Sequence, residues 1–165
     1  DKVYAATHRY IQRQGAWRGA FRIDRLYGQV PVDLVPTLTG EGPTIVLETA
    51  EDFTARRPAS LQLRLRIAEW TDRDAVRVRW DGDELEPPQI SYCRLENPSP
   101  PGGAFPSPPR WREISEVSSA VWLTWDLDEG RGSAGDHALR VDVDERNPKV
   151  GVPLSLTDVE LVVRY

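Results

Sequence analysis

The 165-residue sequence has no methionine, only one cysteine and no long hydrophobic run. A single cysteine excludes an internal disulfide and any zinc site built on several cysteines. No apolar stretch approaches the roughly 18 residues that a transmembrane helix requires. Basic residues are in the minority, with 21 Lys and Arg against 26 Asp and Glu and a net charge of −5. This balance argues against nucleic acids or anionic membranes as partners, because both attract positively charged surfaces.

The absence of methionine also bears on the first residue, Asp1. Because translation starts with methionine, we expect that a leader was removed or that the chain is a piece of a longer protein. The length predicts one domain, since domains run to about 100–200 residues. A chain of this size buries enough surface to need neither a disulfide nor a metal for its core.

The first 16 residues have a different pattern from the rest of the chain. Val3, Tyr4, Thr7, Tyr10 and Ile11 recur at helical spacing, and the pattern ends near a glycine. Residues 1–16 are therefore predicted to be a helical segment or the tail of a preceding domain. Residues 17–165 are predicted to form a separate β domain.

Alternation of apolar and polar residues dominates the β domain. The period is two, which is typical of strands with one buried face. Two antiparallel sheets of this kind bury each other, so we predict an all-β, antiparallel two-sheet β-sandwich of the jelly-roll type. A proline-rich loop at residues 97–109 separates two of the strands, because proline is excluded from central strands. The predicted strands are residues 60–67, 75–80, 119–126, 139–143 and 159–163, with weaker candidates at 44–48 and 89–93.

Tryptophan residues are the first candidates for ligand binding. Trp80 and Trp125 fall on apolar faces and are predicted to be core, whereas Trp70 and Trp122 fall on polar faces. Trp111 follows the proline-rich loop. Exposed indole rings stack on the apolar faces of sugars, although a loop or a neighbouring domain covering them is the alternative.

Four arginines are the second set of candidates. Arg64, Arg66, Arg77 and Arg79 point the same way if their strands are neighbours. Acidic residues on later strands could interleave with them, which leaves two interpretations open. One is a salt-bridged surface, and the other is an arginine-lined groove for an anionic or hydroxyl-rich ligand.

Acidic residues offer a third kind of site. Asp126, Asp128 and Glu129 place oxygen ligands on one turn, and calcium prefers such ligands. The spacing does not match a twelve-residue calcium loop, so a structural calcium ion is an alternative that these residues leave open. Several pairs of carboxylates occur at strand ends, where solvated turns are the usual structure, and nothing predicts the raised pKa of an acid catalyst.

Several runs carry a family resemblance. They are Leu-Gln-Leu-Arg-Leu-Arg-Ile-Ala-Glu-Trp at residues 61–70, Val-Arg-Val-Arg-Trp-Asp-Gly at 76–82, the run from 138 to the Glu-Arg-Asn-Pro at 145–148, and the closing strand at 156–165. Together they resemble the C-terminal galactose-binding-like β-sandwich of bacterial TIM-barrel glycoside-hydrolase-like proteins. The first four residues look like the junction where the barrel ends. The resemblance implies a jelly-roll accessory domain whose relatives often bind sugars and sometimes calcium, without catalytic residues of its own.

These observations predict a non-catalytic carbohydrate-binding module of a bacterial glycoside hydrolase, and not an enzyme in its own right. Its expected partners are a polysaccharide or oligosaccharide and a preceding catalytic domain, with no required cofactor. The main alternative is a structural sandwich that packs on the catalytic barrel and binds no ligand, since fold does not imply function. A hydrolase that uses an acid pair is a third hypothesis. An extracellular or periplasmic location would fit action on polysaccharides, but the sequence has no leader that shows it.

Overall fold

The computed structural model describes residues 1–8, 10–15, 21–35, 38–53, 55–93 and 118–165. These residues form β-strands and one short 3-10 turn, Glu129–Arg131, and contain no α-helix. Among them, none forms a helix with the length and hydrophobicity of a transmembrane span. The strands are β1 Lys2–Ala5, β2 Tyr10–Gly15, β3 Phe21–Tyr27, β4 Val32–Asp33, β5 Thr44–Thr49, β6 Ser60–Trp70, β7 Ala75–Trp80, β8 Asp83–Glu84, β9 Gln89–Tyr92, β10 Ser119–Leu127, β11 Gly135–Glu145 and β12 Ser155–Arg164.

Two antiparallel sheets make up most of the structure. The first sheet has the order β1-β12-β6-β10-β9, with β4 also paired to β12, and the second has the order β5-β11-β7-β8. Strands β2 and β3 form a separate two-stranded ribbon. The prediction of an all-β fold with two antiparallel sheets is confirmed. The jelly-roll connectivity stays a prediction.

The hydrophobic core lies between the two sheets. Along β6 the buried positions alternate with half-buried polar ones, as the period of two predicts. Leu63, Leu65, Leu139 and Val141 each have 0% exposure, and both sheets contribute to one core cluster. Full burial of an aliphatic side chain stabilises a fold by about 1.5–3 kcal/mol, so this alternation explains why the two sheets pack together.

The prediction of a helix in the first 16 residues is wrong. Lys2–Ala5 is a strand that pairs antiparallel with β12, and Tyr10–Gly15 is a strand that pairs with β3. A helix of about three turns is marginal by itself, whereas a strand beside β12 gains ladder hydrogen bonds. Over so few residues the apolar spacing fitted both structures, and pairing with the sheet decided between them.

A β-bulge near the end of β6 changes the orientation of Trp70. Ser119 pairs with Trp70 and Val121 pairs with Ile67, so β6 has one residue more than β10 over this interval. Glu69, with a φ of 63°, lies within the bulge. An extra residue reverses the side-chain alternation. Trp70 therefore points into the core and is only 3% exposed.

The turn after Trp70 carries the chain from the first sheet to the second, and a buried carboxylate organises it. Asp74 accepts hydrogen bonds from the Thr71 N–H (2.6 Å) and hydroxyl (2.9 Å), from the Asn147 N–H (2.7 Å) and from the Arg146 guanidinium (2.8 Å). Burial by itself would raise the pKa of Asp74. The hydrogen bonds from Asn147, Arg146 and Thr71 outweigh it and hold the pKa below its ordinary value of 3.8.

Candidate ligand-binding surfaces

The outward face of the first sheet carries a half-buried tryptophan. The residues of β10 on either side of Trp122 are fully buried, so the alternation turns Trp122 outward, as predicted. Its neighbours across the sheet are Ser91 on β9 and Arg66 on β6. We call this surface the Trp122 face, and it consists of Gln62, Arg64, Arg66, Trp122, Thr124, Asp126, Asp158 and Glu160.

Arg64 packs directly on the indole ring. Its guanidinium carbon lies 4.4 Å from the centroid of the Trp122 ring, which is a cation–π contact. The same guanidinium lies 3.6 Å from the Glu160 carboxylate. Contact with both groups fixes the position of Arg64 and therefore stabilises the orientation of the ring.

Four further polar side chains of the Trp122 face form two pairs. The Gln62 amide donates to Asp126 at 3.0 Å, and Arg66 lies 3.6 Å from Asp158. Arg64 and Arg66 retain 33% and 41% of their side-chain exposure, so their donors are accessible to solvent. The face therefore presents an aromatic ring surrounded by donors and acceptors that a hydroxyl-rich ligand could bind.

The four predicted arginines do not share one face. Arg64 and Arg66 belong to the first sheet, whereas Arg77 and Arg79 belong to the second sheet. The strands are therefore not neighbours, which was the condition for all four to point the same way, because the turn at residues 71–74 carries the chain from one sheet to the other. Each pair interleaves with acidic residues of its own sheet, as in the salt-bridged interpretation.

On the second sheet, Arg77 and Arg79 pair with carboxylates of β11. Arg77 bonds to Asp144, and this bond and the charge of Asp144 raise the pKa of Arg77. Arg79 lies 3.5 Å from Asp142, which also accepts from Arg140 at 3.0 Å. These ion pairs agree with the salt-bridged interpretation of this face of the second sheet.

Trp70 does not contribute to the Trp122 face. Trp70 was predicted to lie on a polar face, and this prediction is wrong because of the bulge described above. Trp111 and the proline-rich loop at 97–109 lie outside the described residues. Trp80 and Trp125 are buried, as predicted, and their indole N–H groups donate to the carbonyls of Arg131 (3.0 Å) and Glu86 (2.7 Å).

The predicted calcium ligands occupy the end of β10 and the turn after it. Asp126 is exposed and bonded to Gln62, and Asp128 is exposed at the start of the 3-10 turn. The side chain of Glu129 lies outside the described part. Among the described residues, no group of three His, Cys, Asp or Glu side chains could hold a metal ion. The calcium site stays a prediction.

A cleft at the open side of the sandwich was missed by the sequence reasoning. It has a volume of about 510 Å³ and lies between β7 and the segment that follows β8. We call it the edge cleft, and its lining residues include Trp70, Trp125, Val76, Leu85, Pro87, Pro88, Ile90 and Glu86. The consecutive prolines at 87 and 88 were the available sequence signal, because they end the pairing between β8 and β7.

Comparisons of the chain with protein-family models, with curated proteins and with solved structures gave no match.

Proposed function

We propose that this domain is a non-catalytic carbohydrate-binding module and that the Trp122 face binds the sugar. The observation that carries the proposal is a half-buried, outward-facing indole that contacts Arg64 and lies among the polar side chains of the Trp122 face. A large apolar ring at an outward position has no role in the core of the described domain. It suits a ligand with one apolar and one polar side.

Sugar rings have this two-sided character. Their C–H faces pack on aromatic rings, and their hydroxyls exchange hydrogen bonds with amides, carboxylates and guanidinium groups. On the Trp122 face these partners are Gln62, Arg66, Asp126 and Asp158, all within the three neighbouring strands β12, β6 and β10. A face that extends over three strands would contact several units of a chain, which favours a polysaccharide or oligosaccharide over a monosaccharide.

The resemblance to the accessory sandwiches of glycoside-hydrolase-like proteins supports the same proposal. The hydrogen bonds of Asp74 argue against acid catalysis at the turn after Trp70. A general acid needs a raised pKa, and hydrogen bonds lower the pKa of Asp74.

Affinity electrophoresis of the domain through gels that contain neutral or acidic polysaccharides tests this proposal. We expect at least one polysaccharide to retard the domain and Trp122→Ala to weaken that retention at least tenfold, which corresponds to about 1.4 kcal/mol. Tyr92→Ala is the matched control, because Tyr92 is 53% exposed and lies opposite the buried Val121, on the inner side of the same sheet. The control should bind like the wild type.

Two results would contradict the proposal. If no polysaccharide retards the domain, the structural accessory role becomes the better explanation. If Trp122→Ala lowers the melting temperature as much as a core substitution does, the ring is part of the packing and not a binding platform.

A further inference from the structure

The edge cleft follows the edge of β7. It is lined by residues 75–78 in succession and, on the other side, by residues 84–88 in succession. Neighbouring residues of a strand point to opposite faces. A cleft that contacts four of them in a row therefore runs along the backbone edge of the strand and not across one face.

The backbone of Val76 faces this cleft. The Leu85 N–H donates to the Val78 carbonyl at 2.9 Å, so the backbone groups of Val78 point toward β8. Backbone groups alternate between the two edges of an antiparallel strand, so those of Val76 point the same way. Strands β7 and β8 pair only at Arg79–Glu84 and Trp80–Asp83, and no strand in the described ranges pairs with β7 at Val76 on this side.

The opposite edge of the second sheet is strand β5, and a glutamine side chain caps it. The Gln29 side-chain amide donates to the Val46 carbonyl at 2.8 Å and accepts from the Val46 N–H at 2.6 Å. These are the two hydrogen bonds that a residue of an added strand would make. A side chain thus blocks the β5 edge, whereas the described residues leave the β7 edge open beside a cleft.

The lining of the cleft combines apolar side chains with more acidic than basic ones. Ile90 remains 46% exposed although its cross-strand partner Leu123 is buried, so the inner face of β9 is open here. The charged lining residues are Arg77 and the acids Asp74, Glu84, Glu86 and Asp144. Of the acids, Glu86 has no ion-pair partner among the described residues.

We propose that the edge cleft binds an extended, basic peptide segment of another protein as an additional strand beside β7. The N–H and carbonyl of Val76 bond to the peptide backbone, because an unpaired strand edge is a template for another chain. One apolar side chain of the peptide enters the cleft beside Ile90 and Leu85. A lysine or arginine at an adjacent position pairs with the Glu86 carboxylate at the rim. This inference is independent of sugar binding on the Trp122 face.

Fluorescence polarisation with blocked, labelled hexapeptides of alternating sequence tests the proposal. The probes are a valine–lysine peptide, a valine–glutamate peptide and a valine–lysine peptide with N-methylated backbone amides. We expect saturable one-to-one binding of the valine–lysine peptide, at least tenfold weaker binding of the valine–glutamate peptide, and loss of binding on N-methylation. N-methylation removes donors without changing the charge, so it separates strand addition from simple charge attraction.

Glu86→Lys should weaken binding of the valine–lysine peptide at least tenfold. Glu48→Lys is the matched control, because it makes the same charge change at an exposed position of β5, on the far edge of the sheet. Circular dichroism checks that both variants fold. No saturable binding would overturn the proposal, as would equal binding of the N-methylated probe or equal losses from both variants. Sedimentation that shows a concentration-dependent dimer, broken by Glu86→Lys, would identify a second copy of the chain as the occupant and also overturn it.

Discussion

Replacing Trp70 and Trp125 one at a time by phenylalanine tests how much the hydrogen bond of a buried indole N–H contributes to stability. Trp70 and Trp125 both line the edge cleft and are 3% and 6% exposed. The Trp125 N–H donates to the Glu86 carbonyl at 2.7 Å, whereas the Trp70 N–H is buried without an acceptor in the described structure. The two substitutions remove the same atoms and differ in the hydrogen bond.

The expected change in unfolding free energy follows from the presence of this hydrogen bond at Trp125 and its absence at Trp70. A buried polar group without a partner costs about 1–3 kcal/mol, and a satisfied hydrogen bond contributes about 0.5–1.5 kcal/mol. Trp70→Phe removes the unsatisfied donor, and Trp125→Phe breaks a bond. Trp125→Phe should therefore be the more destabilising variant by about 1.5–4.5 kcal/mol. Trp70→Ala should cost about 3–5 kcal/mol, because it leaves a cavity in the core.

Urea unfolding followed by circular dichroism measures both variants. With a slope of about 2 kcal/mol/M, the predicted difference separates the two midpoints by about 1–2 M. Equal slopes would show that the unfolded states are comparable. Equal destabilisation by Trp70→Phe and Trp125→Phe would contradict this prediction, since the Trp70 N–H would then have a partner.

The remaining predictions concern polar groups that hold the sheets and turns. Asp74→Asn should destabilise the fold by about 3–5 kcal/mol, because every partner of this carboxylate is a donor that an amide nitrogen cannot satisfy. The folded pKa of Asp74 is lowered, so its stabilisation is complete above the ordinary value of 3.8 and is lost as the pH falls through the lower folded value. Urea unfolding from pH 7 to pH 3 should therefore show the stabilities of wild type and Asp74→Asn converging in acid. A constant difference between them would contradict this prediction. His137→Ala should lower the unfolding free energy by about 2–4 kcal/mol, because the ring stacks on Trp80 and bonds to Asp81 and to a backbone carbonyl. His8→Ala, at an exposed position, should change it by less than about 0.5 kcal/mol. Equal effects of the two substitutions would contradict a structural role for the His137 ring. Gln29→Ala should lower the unfolding free energy by about 1–2 kcal/mol, because it removes two hydrogen bonds to the Val46 backbone. It should also promote self-association in sedimentation, since it opens the β5 edge. An unchanged monomer of equal stability would contradict both expectations.

Local alternation predicted the strands with one buried face. The pattern of Leu61, Leu63, Leu65 and Ile67 needed only the period of two, and the structure buries all four. Trp122 and Trp125 were likewise assigned correctly to opposite faces. In these cases, the side-chain direction follows from the strand itself.

Features that depend on pairing between distant segments could not be predicted in this way. The bulge at Glu69 reverses the alternation and carries Trp70 into the core, and nothing in the run of residues marks where the extra residue falls. The separation of Arg66 from Arg77 depends on which sheet each strand joins, although only ten residues lie between them. Local patterns define faces, and only the pairing of strands defines which faces meet.

In the candidate site, too, local alternation predicted side-chain directions, whereas features that depend on strand pairing were not predicted. The sequence identified Trp122, Arg64 and Arg66, whose neighbours follow from the register of β6 and β10. It did not identify the edge cleft, because that cleft exists only where β7 extends beyond its pairing with β8. An edge left open by the topology leaves little trace in the composition of either strand.

The most direct test of the proposed function is a nitrogen–proton correlation NMR titration that follows the six tryptophan indole N–H signals. Substitution of Trp122, Trp80 and Trp125 assigns their signals. With a polysaccharide fragment that retards the domain, we predict a saturable shift of the Trp122 signal, while those of Trp80 and Trp125, bonded to backbone carbonyls, stay in place. An unmoved Trp122 signal at saturating sugar would contradict the assignment of sugar binding to this face.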